Sequence, residues 1–200
     1  IHVCDRNGFV DELTQYLYTN NMYVFIEAYV QRMNQKAAPV VVGSLLDMNA
    51  NEDQIRKLLD NVRPPSDDPE FIDRLVAEVE KRNRLKLLRP FLEARNQEGS
   101  EDPFVHNGLA KIYVDINNNP SQFLTSNKFY DSVVVGDYCE RRDPHLAFVA
   151  YKRAWGPCDD QLISVTNKNG FFKDQARYLV ERQDAELWEK VLGETNENRR

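Results

Sequence analysis

Four dipeptides in this chain place an acid or an amide directly before proline at the mouth of an apolar-periodic segment: Asp68-Pro69, Asp102-Pro103, Asn119-Pro120 and Asp143-Pro144. The residue before a proline is pushed out of the α region, which is the conformation an N-cap takes, while proline's fixed φ and missing N–H suit the first helical position. Each dipeptide therefore predicts a helix start. Helices that restart every few tens of residues, with no block of strands between them, predict an all-α chain: an α-solenoid of stacked short helical hairpins, each held by its neighbours.

Apolar spacing fills in the hairpins. Met22, Phe25, Ile26, Tyr29, Val30 and Met33 fall on one face of a helix. Phe9, Leu13, Tyr16 and Leu17 mark a shorter helix before it, with Thr19-Asn20-Asn21 as the turn. Val40-Val41-Val42 has no second strand to pair with, and Leu45 and Leu46 continue it, so it reads as a short helix. Asn51 caps a segment carrying Ile55, Leu58, Leu59 and Val62, which Pro64-Pro65-Ser66 ends. That turn is the strongest linker candidate, and a sub-break would fall there, near residues 63–68. Phe71, Ile72, Leu75, Val76 and Val79 form the next face, and Pro90 predicts a bend or a first-turn placement in the helix of Leu85 to Leu92. Gly99-Ser100 breaks the chain before Val105, Leu109, Ile112, Tyr113 and Ile116. Val134, Val135, Tyr138 and Cys139 pair with Leu146, Val149 and Ala150, and Leu162 and Ile163 open a further helix. The last pair carries Phe172, Ala176, Leu179 and Val180, then Leu187, Trp188, Val191 and Leu192, with Gly193 as the C′ residue. The total is roughly a dozen helices, within two. Arg6-Asn7-Gly8-Phe9, Arg82-Asn83-Arg84-Leu85, Arg142-Asp143-Pro144 and Lys168-Asn169-Gly170-Phe171 form a weak internal echo at intervals of 76, 60 and 26 residues. Asn and Asp tolerate the left-handed region and bond their own backbone, so they recur where one helix ends and another begins.

Composition removes several classes of function. A net charge of -6 with a pI near 5.2 argues against a nucleic-acid footprint, and a mean hydropathy of -0.62 indicates much solvated surface. Cys4, Cys139 and Cys158 are odd in number, far apart and without a CxxC, which points to a reducing, cytoplasmic setting rather than a disulfide framework. No apolar run approaches the roughly 20 residues that span a bilayer. Ile1 already sits in an apolar pattern and Arg199-Arg200 shows no winding-down, so the chain is expected to be an excerpt of a longer one.

No catalytic, cofactor-binding or metal-binding residue is assigned. His2 and Cys4 offer two zinc-ligand types, but no second pair stands at a suitable spacing. His106 and His145 could be general bases but lack an identifiable nucleophile, and of the two candidate reactive thiols, Cys139 and Cys158, Cys139 on an apolar face beside Tyr138 reads as core filling. Asp67-Asp68, Glu101-Asp102 and Asp159-Asp160 each precede a helix, where the helix dipole favours negative charge. The basic run Lys81-Arg82-Asn83-Arg84-Leu85-Lys86 is flanked by Glu78 and Glu80 and reads as a self-pairing solvated face. The glycines form no phosphate-binding loop, and Tyr16, Tyr29, Tyr113 and Tyr138 read as hairpin packing rather than base-stacking platforms.

Five longer strings carry a resemblance: Ile1-His2-Val3-Cys4-Asp5-Arg6, Val76-Ala77-Glu78-Val79-Glu80-Lys81-Arg82-Asn83-Arg84-Leu85, Asn117-Asn118-Asn119-Pro120, Tyr138-Cys139-Glu140-Arg141-Arg142-Asp143-Pro144-His145-Leu146-Ala147 and Ala176-Arg177-Tyr178-Leu179-Val180. Together, and essentially end to end, the chain resembles the clathrin heavy-chain family. The resemblance implies one segment, residues 1–200, of the distal leg of a three-legged homotrimer. Such legs interweave into the polyhedral lattice of coated pits and vesicles on cytoplasmic membrane faces. It implies a structural, non-enzymatic role without cofactors, peripheral membrane association, and light-chain and adaptor partners bound through other parts of the full chain. The family's binding grooves and trimerisation elements lie elsewhere, so no site transfers. Ala154-Trp155-Gly156-Pro157 departs from the family, where a shorter turn is expected. A helical-repeat subunit of a vacuolar sorting tether is the alternative, and a helical enzyme would need His2, His106 or His145.

Overall fold

The computed structural model describes residues 1–193, so Arg199-Arg200 lies outside the described residues. Fourteen α-helices follow one another among them. They are α1 His2–Arg6, α2 Val10–Thr19, α3 Tyr23–Ala28, α4 Ala38–Asp47, α5 Glu52–Asp60, α6 Phe71–Glu80, α7 Arg89–Gln97 and α8 Pro103–Ile116, then α9 Pro120–Ser126, α10 Ser132–Glu140, α11 Pro144–Ala154, α12 Asp159–Asn169, α13 Phe172–Arg182 and α14 Ala185–Leu192. The fold class is all-α, of helical hairpins packed in sequence order. Two compact units divide within α8, one ending at Ile112 and the other beginning at Tyr113. Pro64 and Pro65 lie inside the first.

In the first unit α4 lies between α2 and α6, and α5 packs on α7, so alternate helices share a layer. Val41, Val42 and Leu45 of α4, Ile55, Leu58 and Leu59 of α5, and Phe71, Ile72, Leu75 and Val79 of α6 are fully buried between those layers. Each such side chain contributes about 1.5–3 kcal/mol by leaving water. In the second unit α11 is the centre, flanked by α9, α10 and α12, with α13 on α12. Close approach there depends on Gly136, whose Cα faces the ring of Tyr151 with no room for a Cβ.

The acid–proline starts divide by chemistry. Asp102 accepts from the backbone N–H of Phe104 at 2.9 Å, and Asp143 from those of His145 at 2.9 Å and Leu146 at 3.3 Å, which makes both N-caps as expected. Asn119 precedes α9 as expected but sits in the left-handed region at φ 47, with no side-chain cap bond. Asp68-Pro69 opens a turn instead, and α6 begins at Phe71 behind Glu70. Pro90 sits in the first turn of α7, and Asn51 caps α5 through the N–H of Asp53 at 2.8 Å.

Seven of the fourteen described helices end by one rule. Gly8, Asn21, Asn49, Asn83, Gly99, Asn117 and Gly170 all have positive φ. Each donates to a carbonyl three residues back, while the next residue donates five back, for example Asn83 to Glu80 at 2.9 Å and Arg84 to Val79 at 3.1 Å. This is the Schellman geometry, which satisfies carbonyls a helix would otherwise leave bare. Gly193 differs: its φ of -59 is extended, so α14 does not end this way.

Several apolar positions expected in the core are exposed. Met22 precedes α3 as its N-cap, and residues Tyr29–Met33 form a π-helical turn, which changes the period and turns Met33 outward; Phe25 is exposed beside Val24. Tyr16 is 63% exposed, and Val134 and Leu192 are exposed too. On α13 the buried positions are Gln175, Tyr178 and Leu179, so Val180, 62% exposed, falls outside the packed stripe.

Candidate functional site

The residues considered for chemistry are dispersed and mostly structural. His106 is buried in α8, its Nε2 2.7 Å from the carbonyl of Ser100. His145 stacks on Phe171 with ring centroids 3.9 Å apart. Cys139 and Cys158 are buried and free; burial pushes the Cys139 thiol up to about 12 and raises that of Cys158, so both stay as thiols at neutral pH. Cys4 is half-buried and His2 exposed. Among the described residues no three His, Cys, Asp or Glu side chains form a group able to hold a metal.

What the fold brings together is a set of joints between helices, and one design recurs. On α10 and its exit, Tyr138 donates its hydroxyl to Asp115 Oδ2 at 2.8 Å and Arg142, four residues on, contacts Asp115 Oδ1 at 3.2 Å. The same guanidinium lies 3.6 Å over the Tyr138 ring. On α13, Tyr178 donates to Asp159 Oδ1 and Arg182, again four residues on, reaches Asp159 Oδ2 at 3.0 Å. Near the start of the chain Tyr29 and Asn34 both donate to Asp5 Oδ1, at 2.6 and 2.7 Å. The partner there stands five residues on because the π-helical turn lengthens the step. Each clasp holds an earlier carboxylate between a tyrosine hydroxyl and a second donor one turn away. Burial, then the carboxylate it faces, raises the pKa of Tyr29 and of Tyr178, while the hydrogen bonds from Tyr29 and Asn34 lower that of Asp5.

Ion pairs add a second set of joints. Arg82 spans Asp47 at the end of α4 and Glu78 one turn back, its Nε 2.7 Å from Asp47 Oδ1 and its Nη1 2.7 Å from Glu78 Oε2. Gly43 leaves room for the pair, since a Cβ there would stand 3.1 Å from Glu78 Oε2 and the side chain would have to shift slightly. The hydrogen bond from Arg82 holds Asp47 below the usual carboxylate range, and those from Lys81 and then Arg82 do the same for Glu78. Lys36–Asp67, Arg84–Glu52, Lys111–Glu80 and Lys190–Asp160 link residues 30–32 positions apart. Thus Lys81 and Arg82 pair with Glu78 in their own stretch as expected, whereas Arg84 reaches across to Glu52; Asp160 is a joint residue as well as a first-turn acid of α12, and Asp67, four residues ahead of α6, is a joint residue without starting a helix.

The recurring clasp escaped the sequence reading, although Tyr and Arg four apart, with an Asp about twenty residues upstream, was its visible trace. Ala154–Pro157 is a built feature too. Trp155 occupies the left-handed region at φ 49, its ring edge-on to Tyr178 at 5.8 Å, with Arg182 5.5 Å over it.

A family model described as a region in clathrin and VPS matches residues 64–200. Over all 200 residues the chain is 58% identical to the clathrin heavy chain of Dictyostelium discoideum, 60% to clathrin heavy chain 1 of Arabidopsis thaliana and 57% to clathrin heavy chain 2 of Homo sapiens. The whole chain aligns in each case, and it spans only 12, 11 and 12% of those relatives.

Proposed function

The chain belongs to the clathrin family, whose repeat region is shared by clathrin and VPS proteins, and from that premise we propose that it is a leg segment of a structural coat protein. In this reading residues 1–200 are one stretch of a continuous helical-repeat leg. The whole protein assembles as a trimer with other heavy chains into a polyhedral lattice on coated pits and vesicles. Light chains and adaptors engage other parts of the full chain, and the coat lies on cytoplasmic membrane faces without inserting. The absence, among the described residues, of a helix long and apolar enough to cross a membrane agrees with that peripheral attachment. The observation that carries the coat reading over a vacuolar sorting tether is the 57–60% identity, across every residue of the chain, to proteins named clathrin heavy chain.

The mechanism is mechanical. Hairpins that contact only sequence neighbours add stability joint by joint, so a leg bends by small changes at many joints rather than by opening one hinge. Exposed ion pairs such as Lys36–Asp67 are individually weak because water screens them, which holds register while letting helices slide. Lattice contacts of similar weakness gain strength through multivalency and still come apart. A chimera tests the proposal: the homologous stretch of a cage-forming heavy chain is replaced by this chain, and cage formation is scored by light scattering. Cages of normal size are expected; a chimera that trimerises but never closes a lattice contradicts it.

A further inference from the structure

Trp155 is an outlier of a kind that marks function more often than packing. The seven Schellman ends among the described residues use Gly or Asn at the left-handed position, whereas α13 ends on Gln183 at φ 53 and α11 on the far bulkier Trp155 at φ 49, followed by Gly156 at φ 125. A bulky side chain there is strained relative to glycine, because its Cβ crowds the following carbonyl oxygen. The indole recovers part of that against Tyr178 and Arg182 but remains 49% exposed.

Beside it lies an open cavity of about 410 Å³ lined by Thr125, Val149, Lys152, Arg153 and Trp155, running between α9 and α11. Its lining holds two cations and no acid. The chain carries 32 Asp and Glu, yet neither Pro120–Ser126 nor Pro144–Ala154 contains one. Arg153 donates to Ser132 Oγ at 3.2 Å, to the carbonyl of Lys128 at 2.9 Å and to that of Tyr130, and stacks 4.0 Å over the Tyr130 ring. These partners fix its geometry without neutralising its charge. Lys152 shares its charge with Glu181 at 2.7 Å, and Lys128 is exposed.

We propose that the α9–α11 groove is a docking site for an acidic peptide segment that seats one large apolar side chain against Trp155 and Val149. Lys152 and Arg153, which line it, face its carboxylates. An exposed tryptophan beside an apolar floor and a cationic rim is the arrangement that concentrates binding energy in a few residues. The inference stands whether or not the chain belongs to a coat leg.

The test is fluorescence anisotropy of a fluorescein-labelled EEDFEE peptide against the full-length protein, with KKKFKK and EEDSEE as controls. Binding of EEDFEE alone is expected, weakened about tenfold or more by Trp155→Gly and several-fold by Lys152→Ala, with a shallower salt dependence in the latter. Glycine suits the left-handed position, so Trp155→Gly keeps the turn; Trp155→Asn serves as a second variant if it does not fold. Absence of binding, or equal binding by wild type and Trp155→Gly, overturns the proposal. So does Trp155-dependent capture by phosphatidylserine vesicles without peptide binding. Self-association in sedimentation velocity that Trp155→Gly abolishes also overturns it, assigning the groove to a second copy.

Discussion

Asparagine in the left-handed region ends α2, α4, α6 and α8 at residues 21, 49, 83 and 117, intervals of 28, 34 and 34 residues. This is the repeat that the echo at 76, 60 and 26 residues failed to find. It was legible only in part, because the signal is one residue's tolerance of positive φ, and Asn also caps helices at their other ends, as Asn51 does. Replacing Asn83 by Ala is expected to lower stability by about 1 kcal/mol, since a Cβ without a compensating polar group pays the left-handed cost, while Asn83→Gly is expected to be near neutral. Urea denaturation followed by circular dichroism separates the two; equal loss in both would contradict a conformational cause. A sharper effect belongs to Gly136, where a Cβ runs into the Tyr151 ring. Gly136→Ala is expected to destabilise by about 1–3 kcal/mol, as overpacking does, and an unchanged denaturation midpoint would show that α10 and α11 can move apart freely.

Helix existence was readable in the sequence because apolar stripes such as Phe71, Ile72, Leu75, Val76 and Val79 survive any tertiary context. The clasps were not, because each needs three residues from two elements and carries no fixed spacing: Asp to Tyr is 24, 23 and 19 residues in the three cases. The face predicted from Met22 to Met33 held at Ile26, Tyr29 and Val30 and failed at Met33, because a π-helical turn leaves no mark in a 3.6-residue pattern. A double-mutant cycle of Asp115→Asn and Tyr138→Phe is expected to give a coupling of about 1.5–3 kcal/mol, the scale of a hydrogen bond to a charged group. A coupling near zero would reduce the clasp to coincidence. The same joints set a pH window. Asp5, Asp47 and Glu78 have lowered pKa values, so their contribution is present above the ordinary carboxylate range near 4 and is lost as the pH falls through the lowered values. Tyr29, Tyr151 and Tyr178 have raised ones, so theirs is full below the ordinary tyrosine value near 10 and is lost as the pH rises through the raised values. Melting temperatures should therefore plateau between those limits and decline on both sides; a melt insensitive to alkaline pH would contradict the tyrosine half of the argument.

At the scale of the molecule, two compact units of sequence-adjacent hairpins carry the features a leg segment needs: apolar layers for stiffness and polar joints for compliance. Nothing in that architecture requires a catalytic centre, and alanine substitution of His2, His106 and His145 is expected to leave assembly largely intact, with some loss of stability at buried His106. Five long strings identified the family from sequence, whereas the Trp155 turn could be interpreted only once its neighbours Tyr178 and Arg182 were placed. The central claim, that these repeats build a lattice, is tested most directly by electron microscopy of the purified full-length protein under mildly acidic, low-salt conditions. Three-legged particles that close into cages are the predicted result; straight or compact particles that never form a lattice would contradict the coat reading and favour a tether.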